Sequence, residues 1–205
     1  MKTLLKIQSS LFSEQAQSTQ LADRIALQWL EQNSGGRVLT RDLSKSPVPH
    51  LTADRFKAFL APAAERTAEQ QAIVDFSDEL IQELRDADAI VIGAPMYNFS
   101  IPSTLRAYFD HIARSGITFR YTANGPEGLI KGKKTYVVVT RGGVYESSAD
   151  TQTSYLRQFL SFVGLDDVEF VYAEGLALGP EAQERSLNAA RHTIAKLLPA
   201  NVLAA

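Results

Sequence analysis

Short apolar runs alternate along the chain with longer segments in which apolar residues recur every three or four positions. Runs of the first kind predict strands, and segments of the second kind predict amphipathic helices. The predicted strands span residues 2–8, 37–43, 89–94, 136–139 and 168–172, and the predicted helices span 17–32, 68–85, 103–115, 154–163 and 180–198. This alternation is typical of βαβ units, so we expect an α/β protein with a five-stranded parallel sheet.

The run at 89–94 identifies the centre of that sheet, because it reads Ala-Ile-Val-Ile-Gly-Ala without alternation, as in a strand buried on both faces. Two segments depart from the βα pattern. Residues 44–67 contain three prolines and predict a long excursion with a short helix through Phe56 and Phe59. Residues 117–134 predict a hairpin-like insertion around an Asn-Gly-Pro turn at 124–126. Neither a repeat nor a linker is visible, so we expect a single domain over 1–205.

Composition and charge narrow the classes of function. The net charge of −2 leaves no basic excess for binding a nucleic-acid backbone. The absence of cysteine removes disulfides, thiolate nucleophiles and cysteine-based metal sites, and it fits a reducing compartment. The N-terminal apolar run is too short for a signal peptide, and no run approaches the roughly 18 apolar residues of a membrane-spanning helix. We therefore expect a cytoplasmic protein that binds neither nucleic acid nor a membrane.

Ligands of open parallel sheets bind beyond the carboxyl ends of the strands, so the residues that follow each strand are the candidates for a site. Ser9, Ser10 and Ser18 follow the first strand and stand near the start of a helix. Their hydroxyls, together with the first backbone amides of that helix, could hold a phosphate dianion. Turn and helix-capping roles explain the same serines about equally well.

The loops after the third and fourth strands carry further candidates. Residues 95–102 place two aromatic side chains and a methionine between two prolines, which indicates either a planar, partly apolar ligand or side chains buried under the loop. Residues 140–143 read Thr-Arg-Gly-Gly, which would let the backbone approach a ligand closely and offers one cation. A plain turn is the competing explanation for the two glycines.

These loops resemble those of the FMN-dependent NADH azoreductases, also described as NADH:quinone oxidoreductases, a family of flavodoxin-like fold. The resemblance extends over essentially the whole chain and is strongest in residues 94–99, 116–122, 124–129 and 141–143. It implies FMN as the cofactor and NADH or NADPH as the reductant. It also implies a three-layer α-β-α fold with strand order 2-1-3-4-5, and a homodimer with FMN sites at the subunit interface.

Matching positions transfer the family's binding residues to this chain. The implied cofactor-binding residues are Ser10, Gln17 and Ser18 at the FMN phosphate, Pro95, Met96, Tyr97, Asn98 and Phe99 along the isoalloxazine and ribityl groups, and Thr140, Arg141, Gly142 and Gly143 on the pyrimidine side. Phe119, Tyr121 and Phe162 are candidates to wall a substrate pocket, either of their own subunit or from the partner subunit, or are ordinary core or interface aromatics. Two positions depart from the family pattern. Ala16 lacks a frequent hydroxyl, which predicts weaker FMN retention, whereas Thr140 in place of a serine keeps the donor.

The resemblance implies hydride transfer from NAD(P)H to the flavin and two-electron reduction of quinones or aromatic azo compounds, in ping-pong order. Either Arg141 or the backbone amides around Gly142 would stabilise the negative charge of the reduced flavin. No catalytic acid or base is evident. His50, His111 and His192 lack metal-ligand spacing, so we expect no metal site.

Two other functions stay open at this point. A flavodoxin-like electron carrier or regulatory module would share the fold and FMN but would not oxidise NADH by itself. A hydrolase would use Ser9 or Ser10 as its nucleophile, but the chain lacks the Gly-x-Ser-x-Gly elbow of such enzymes. The chain also lacks the Gly-x-Gly-x-x-Gly fingerprint, which argues against a Rossmann dehydrogenase.

Overall fold

The computed structural model describes residues 1–145 and 150–199. Its strands are β1 (Thr3–Gln8), β2 (Arg37–Asp42), β3 (Ala89–Pro95), β4 (Phe119–Thr122), β5 (Gly125–Gly128), β6 (Lys134–Thr140) and β7 (Val168–Ala173). Its α-helices are α1 (Gln17–Gln32), α2 (Ala53–Leu60), α3 (Ala68–Asp86), α4 (Ser103–Ile112), α5 (Thr151–Val163) and α6 (Pro180–Leu197). Two short 3₁₀ turns lie at Ser13–Gln15 and Ala63–Glu65.

Five strands form a parallel sheet in the order β2-β1-β3-β6-β7. The predicted α/β fold with a five-stranded parallel sheet is therefore confirmed. The numbers differ from the expected order 2-1-3-4-5 because β4 and β5 form a separate antiparallel hairpin and take two numbers between β3 and β6. The direction in which strands are added to the sheet reverses between β1 and β3, which is where open α/β sheets form their ligand crevices.

Helices cover both faces of the sheet. Val91 of β3 packs in an apolar cluster with side chains of α1 and α6. Its neighbour Ile90 points to the other face and packs in a cluster with side chains of α3, α4 and α5. Every residue of β3 is buried, as its unbroken apolar run predicts. The result is three layers, with the loops at the carboxyl ends of the strands left free to form a site.

The ends of two helices differ from the predicted ones. Helix α4 ends before residue 115 because the Thr118 hydroxyl donates to the Ile112 carbonyl at 2.5 Å and accepts from the Arg114 amide at 2.9 Å, which turns the chain. Helix α5 begins earlier than residue 154 because the Asp150 carboxylate accepts the Thr153 amide at 2.9 Å and caps the helix. The predicted excursion contains α2, and the predicted insertion forms the β4–β5 hairpin.

Among the helices of residues 1–145 and 150–199, none combines the length and the apolar character that a membrane crossing requires.

Candidate functional site

A cavity of about 370 Å³ lies at the carboxyl ends of β1, β3 and β6, next to the point where the strand order reverses. Its volume is within the range of small-molecule sites. The residues that line it are Ser10, Phe12, Gln15, Ala16, Gln17, Ser18, Pro95, Met96, Tyr97, Thr140, Arg141, Gly142 and Leu176. Three segments converge there, namely the β1–α1 loop (9–16), the β3–α4 loop (96–102) and the first residues after β6 (141–145).

The start of α1 presents hydrogen-bond donors to this cavity. The amides of Gln17 and Ser18 open the helix and have no acceptor among the described residues, and the N-cap residue Ala16 has no side chain that could accept from them. The Ser18 hydroxyl is buried and has no partner in the described part of the chain. A buried hydroxyl without a partner costs free energy, and together with the amides it fits an anion such as a phosphate.

Tyr97 joins the β3–α4 loop to the β1–α1 loop. Its hydroxyl lies 3.0 Å from the Ser10 hydroxyl and accepts the Leu11 amide at 3.3 Å. The Ser10 hydroxyl in turn accepts the Phe12 amide at 3.3 Å. Ser10 is therefore already hydrogen-bonded within the site, in contrast to Ser18, and its first role here is to fix the two loops against each other.

A tight turn projects from the β3–α4 loop. Tyr97 and Ser100 exchange two backbone hydrogen bonds, of 3.0 and 3.1 Å, and between them Asn98 and Phe99 both adopt positive φ, of 50° and 64°. Such a conformation is unusual for phenylalanine and marks local strain of the kind found at functional sites. The Thr151 hydroxyl holds the turn by donating to the Phe99 carbonyl at 2.6 Å. The turn leaves the Phe99 side chain 68% exposed.

A buried ionic network surrounds Arg141, the first residue after β6, whose side chain is 1% exposed. One guanidinium nitrogen donates to both oxygens of Asp150 at 2.7 Å, and another donates to Glu174 at 3.0 Å. The third donates to the Gln152 amide oxygen at 3.2 Å, and Gln152 itself donates to the Ala94 carbonyl at 3.0 Å. Burial alone would raise the pKa of Asp150, but hydrogen bonds from Thr153 and Arg141 outweigh it and hold that pKa below its ordinary value.

This network bears on the two donors considered for the end of β6. The guanidinium of Arg141 is paired with two carboxylates and offers almost no surface to the cavity, so its geometry argues for joining the ends of β6, β7 and α5 rather than for stabilising charge on a ligand. The amides of Gly142 and Gly143 have no acceptor in the described part of the chain. Of the two, Gly142 lines the cavity, and its backbone is the donor that the geometry favours.

The three aromatic residues predicted for a substrate pocket form a separate cluster. The rings of Phe119 and Phe162 lie 4.2 Å apart between centroids, and Phe119 contacts Tyr121 edge-on at 5.6 Å. Within this chain none of the three lines the 370 Å³ cavity. Phe119 is buried, whereas Tyr121 is 74% exposed, so the cluster is anchored in the core and presents one aromatic ring at the surface.

Most of the predicted cofactor-binding residues do converge on the cavity: Ser10, Gln17, Ser18, Pro95, Met96, Tyr97, Thr140, Arg141 and Gly142. Asn98 borders a neighbouring cavity that shares Met96 and Tyr97, and neither Phe99 nor Gly143 lines the first cavity.

Sequence reasoning missed other residues of the site. Phe12, Gln15 and Leu176 line the cavity. Leu176 follows β7, so applying the strand-end rule to that last strand would have found it. Glu174 directly follows β7, so the same rule would have included it, whereas Asp150 carried no signal in the sequence.

The histidine of α4 has a structural place. His111 is fully buried and its ring contacts Phe59 and Phe76 edge-on, at 5.7 and 5.8 Å between centroids. Burial and the charge of Arg55 lower its pKa and so favour the neutral ring. Among the residues that the structure describes, no three histidine or carboxylate side chains are grouped so that they could hold a metal ion.

Comparisons with known proteins agree with this geometry. A family model described as a flavodoxin-like fold matches residues 1–198. The chain is 53% identical over 195 residues to an FMN-dependent NADH:quinone oxidoreductase of Cellvibrio japonicus (strain Ueda107), which covers 95% of this chain and 97% of that protein. It is 57% identical over 196 residues to FMN-dependent NADH:quinone oxidoreductase 6 of Burkholderia lata, which covers 95% of this chain and 99% of that protein.

Solved structures extend the similarity to three dimensions. An azoreductase from Bacillus anthracis str. Sterne superposes with a TM-score of 0.88 at 29% identity, over 97% of this chain and 99% of that one. An FMN-dependent NADH-azoreductase from Bacillus anthracis str. Ames Ancestor, solved in complex with FMN, superposes with a TM-score of 0.85 at 25% identity, over 97% of this chain and 100% of that one.

Proposed function

The chain belongs to the family with the flavodoxin-like fold, and we propose that it is an FMN-dependent oxidoreductase that takes a hydride from NAD(P)H and reduces quinones and aromatic azo compounds. The family model and the two relatives confirm the family resemblance inferred from the sequence. The observation that carries the proposal is the group of unpartnered donors, the Ser18 hydroxyl and the first amides of α1, at the strand ends that the loop motifs also reach.

The residues of the cavity fit FMN. The Ser18 hydroxyl and the amides of Gln17 and Ser18 would hold the phosphate, because they are hydrogen-bond donors at the positive end of a helix. Met96 and Tyr97 would line the flavin from the β3–α4 loop, with the strained turn at Asn98 extending that wall.

Thr140 and the Gly142 amide would face the pyrimidine side of the flavin. Bound FMN supplies two-electron hydride chemistry, which no protein side chain can provide. The task of this chain is to orient the cofactor, and the Gly142 amide is placed to favour negative charge on the flavin. Arg141 would serve this task indirectly, by holding the end of β6 against Asp150 before α5 and Glu174 after β7. We propose ping-pong kinetics, with the oxidised nucleotide leaving before the acceptor binds.

The proposal includes a homodimer in which the aromatic cluster of Phe119, Tyr121 and Phe162 walls the substrate pocket of the neighbouring subunit. The exposure of Tyr121 and the absence of these rings from the wall of the cavity in their own chain support that arrangement. Residues 1–205 would act as a single FMN-binding domain in the cytoplasm, for which the cysteine-free sequence is suited.

The experiment is anaerobic stopped-flow absorbance on the FMN-loaded protein, with NADH added first and the quinone menadione second. We expect NADH to bleach the visible absorption of the flavin and menadione to restore it. If FMN is bound but NADH does not bleach it, the proposed enzymatic activity is contradicted and an electron carrier is favoured. Failure of the protein to bind FMN would contradict the assignment of the cofactor.

A further inference from the structure

Asp42, the last residue of the edge strand β2, lies outside the cavity but is tied to one of its loops. Its carboxylate accepts the Ser13 hydroxyl at 2.7 Å through Oδ2. Through Oδ1 it accepts the amide of Ser44 at 2.9 Å and the hydroxyl of Ser44 at 2.7 Å. The carboxylate is only 11% exposed, and its nearest cation, Lys45, is 3.9 Å away on an exposed side chain. Asp42 is thus an anchored acceptor whose bonds divide between its own turn and the β1–α1 loop.

Ser13 needs such an anchor because its backbone is strained. It adopts a φ of 46°, a left-handed backbone conformation that residues other than glycine, asparagine and aspartate rarely adopt. Its amide reaches the Ser10 carbonyl only at 3.3 Å. The side-chain bond to Asp42 is the shorter interaction at this residue, and it offsets the strain by holding Ser13 against the end of β2.

The conformation of Ser13 fixes the position of the residues that follow it. Ser13 begins the 3₁₀ turn Ser13–Gln15, and the Ala16 amide donates to the Ser13 carbonyl at 3.2 Å. Ala16 is the N-cap residue of α1, so the direction in which the first helical amides point is set at this turn. Gln15, Ala16 and Gln17 all line the cavity, whereas Ser13 and Asp42 do not.

We propose that Asp42 is a positioning residue for the phosphate of FMN, acting through Ser13 to hold the start of α1 in its binding geometry. This inference rests on the proposed function, because it takes FMN as the ligand. It assigns to an acidic side chain, which would itself repel a phosphate, the role of organising neutral donors around that phosphate from a distance.

The structure offers a matched pair of variants for the test. Ser13→Ala removes the hydroxyl that joins Asp42 to the β1–α1 loop. Ser44→Ala removes a hydroxyl at the same 2.7 Å distance from the same carboxylate, on a residue that belongs to neither the loop nor the lining of the cavity. Affinities for FMN and for riboflavin, which lacks the phosphate, are measured for the apoprotein by quenching of flavin fluorescence. The unfolding midpoint of each apoprotein is recorded alongside.

We expect Ser13→Ala to weaken FMN binding by about tenfold, the effect of one lost hydrogen bond, while riboflavin binding stays as in the unsubstituted protein. Ser44→Ala should leave both affinities within about twofold, which is the scatter that small surface substitutions produce. FMN affinity unchanged in Ser13→Ala would overturn the inference, as would equal losses for FMN and riboflavin or equal losses in the two variants. An unsubstituted protein that does not bind FMN would instead overturn the proposed function, and this inference with it.

Discussion

At the carboxyl end of β1 the cavity is bordered by a buried hydroxyl and helix amides that have no partner among the described residues, all of them uncharged. At the end of β6 it is bordered by Arg141 and Gly142, and the buried guanidinium of Arg141 is paired with two carboxylates. The first region is prepared for a ligand, because its donors are unused. The second region is held together without a ligand, because its charged side chains are paired with one another. Under the proposed function, charge in this site would fix the protein, and neutral groups would recognise the ligand.

The largest effect is expected from Arg141→Ala, which removes the centre of the charged region. The carboxylates of Asp150 and Glu174 would lose their shared cation in a poorly solvated place. Removing one partner of a buried ion pair lowers the free energy of unfolding by about 3–5 kcal/mol. Urea unfolding of the apoprotein measures this loss. Arg157→Ala is the control, because Arg157 stacks on Phe170 with a ring distance of 4.3 Å but is exposed. Equal costs in both variants would contradict the structural role of Arg141.

The neutral region is tested by Ser18→Ala, which removes the unpartnered hydroxyl. We expect FMN to bind about tenfold to a hundredfold more weakly, since a hydrogen bond to a charged group contributes about 1.5–3 kcal/mol. Apoprotein stability should stay the same or rise, because the hydroxyl has no partner before the ligand binds. Thr19→Val is the control: that hydroxyl is also buried and unpartnered but does not line the cavity. An equal loss of FMN affinity in Thr19→Val would point to helix packing instead.

Acid tests the charged region, because its bonds to Arg141 depend on the ionised carboxylate of Asp150. The lowered pKa of Asp150 means that its charge stabilises the fold above the ordinary value of 3.8, and that this contribution is lost as the pH falls through the native pKa. At neutral pH we expect Asp150→Asn to lower stability by about 2 kcal/mol, and we expect the difference from the unsubstituted protein to narrow below about pH 4. Thermal unfolding of both proteins between about pH 3 and 7 measures this difference in stability. A difference that stays constant over that range would contradict a stabilising role for the charge of Asp150.

The smallest effect is expected from Ala16→Ser, which adds a neutral donor to the first region. Ala16 lines the cavity and leaves α1 without a side-chain cap. A serine there should tighten FMN binding about threefold, which corresponds to one weak hydrogen bond. It should also stabilise the apoprotein, because its hydroxyl can cap the helix. Fluorescence titration and thermal unfolding measure the two effects. Weaker FMN binding would show that the capping bond competes with the ligand for the same amides.

The architecture was predictable because it depends on patterns that persist over many residues. The continuous apolar run of β3 and the helical spacing of α1 both reflect burial, which the order of apolar and polar residues indicates directly. The cavity was predictable for a related reason, since the strand-end rule identifies loops without requiring their conformation. Applied to β7 as well, the same rule would have included Leu176.

The details that the sequence did not reveal depend on contacts between distant segments. Glu174 follows Arg141 by 33 residues and meets it only because β6 and β7 pair side by side. The end of α4 is set by Thr118, which lies beyond the helix. The positive φ of Phe99 opposes the ordinary preference of that residue and exists because the Tyr97–Ser100 bridge and Thr151 hold it.

The uncharged character of the α1 end has a consequence for the behaviour of the protein in salt. Of the residues that the structure describes, no lysine lines the cavity, and the one arginine among its lining residues is paired with carboxylates. Attraction between exposed charges is screened within about 10 Å at 0.1 M ionic strength, whereas short hydrogen bonds from a helix terminus depend mainly on contact geometry. Retention of FMN should therefore vary far less with ionic strength than in a site that binds phosphate through lysines, and desalting or high-salt purification should leave the cofactor in place.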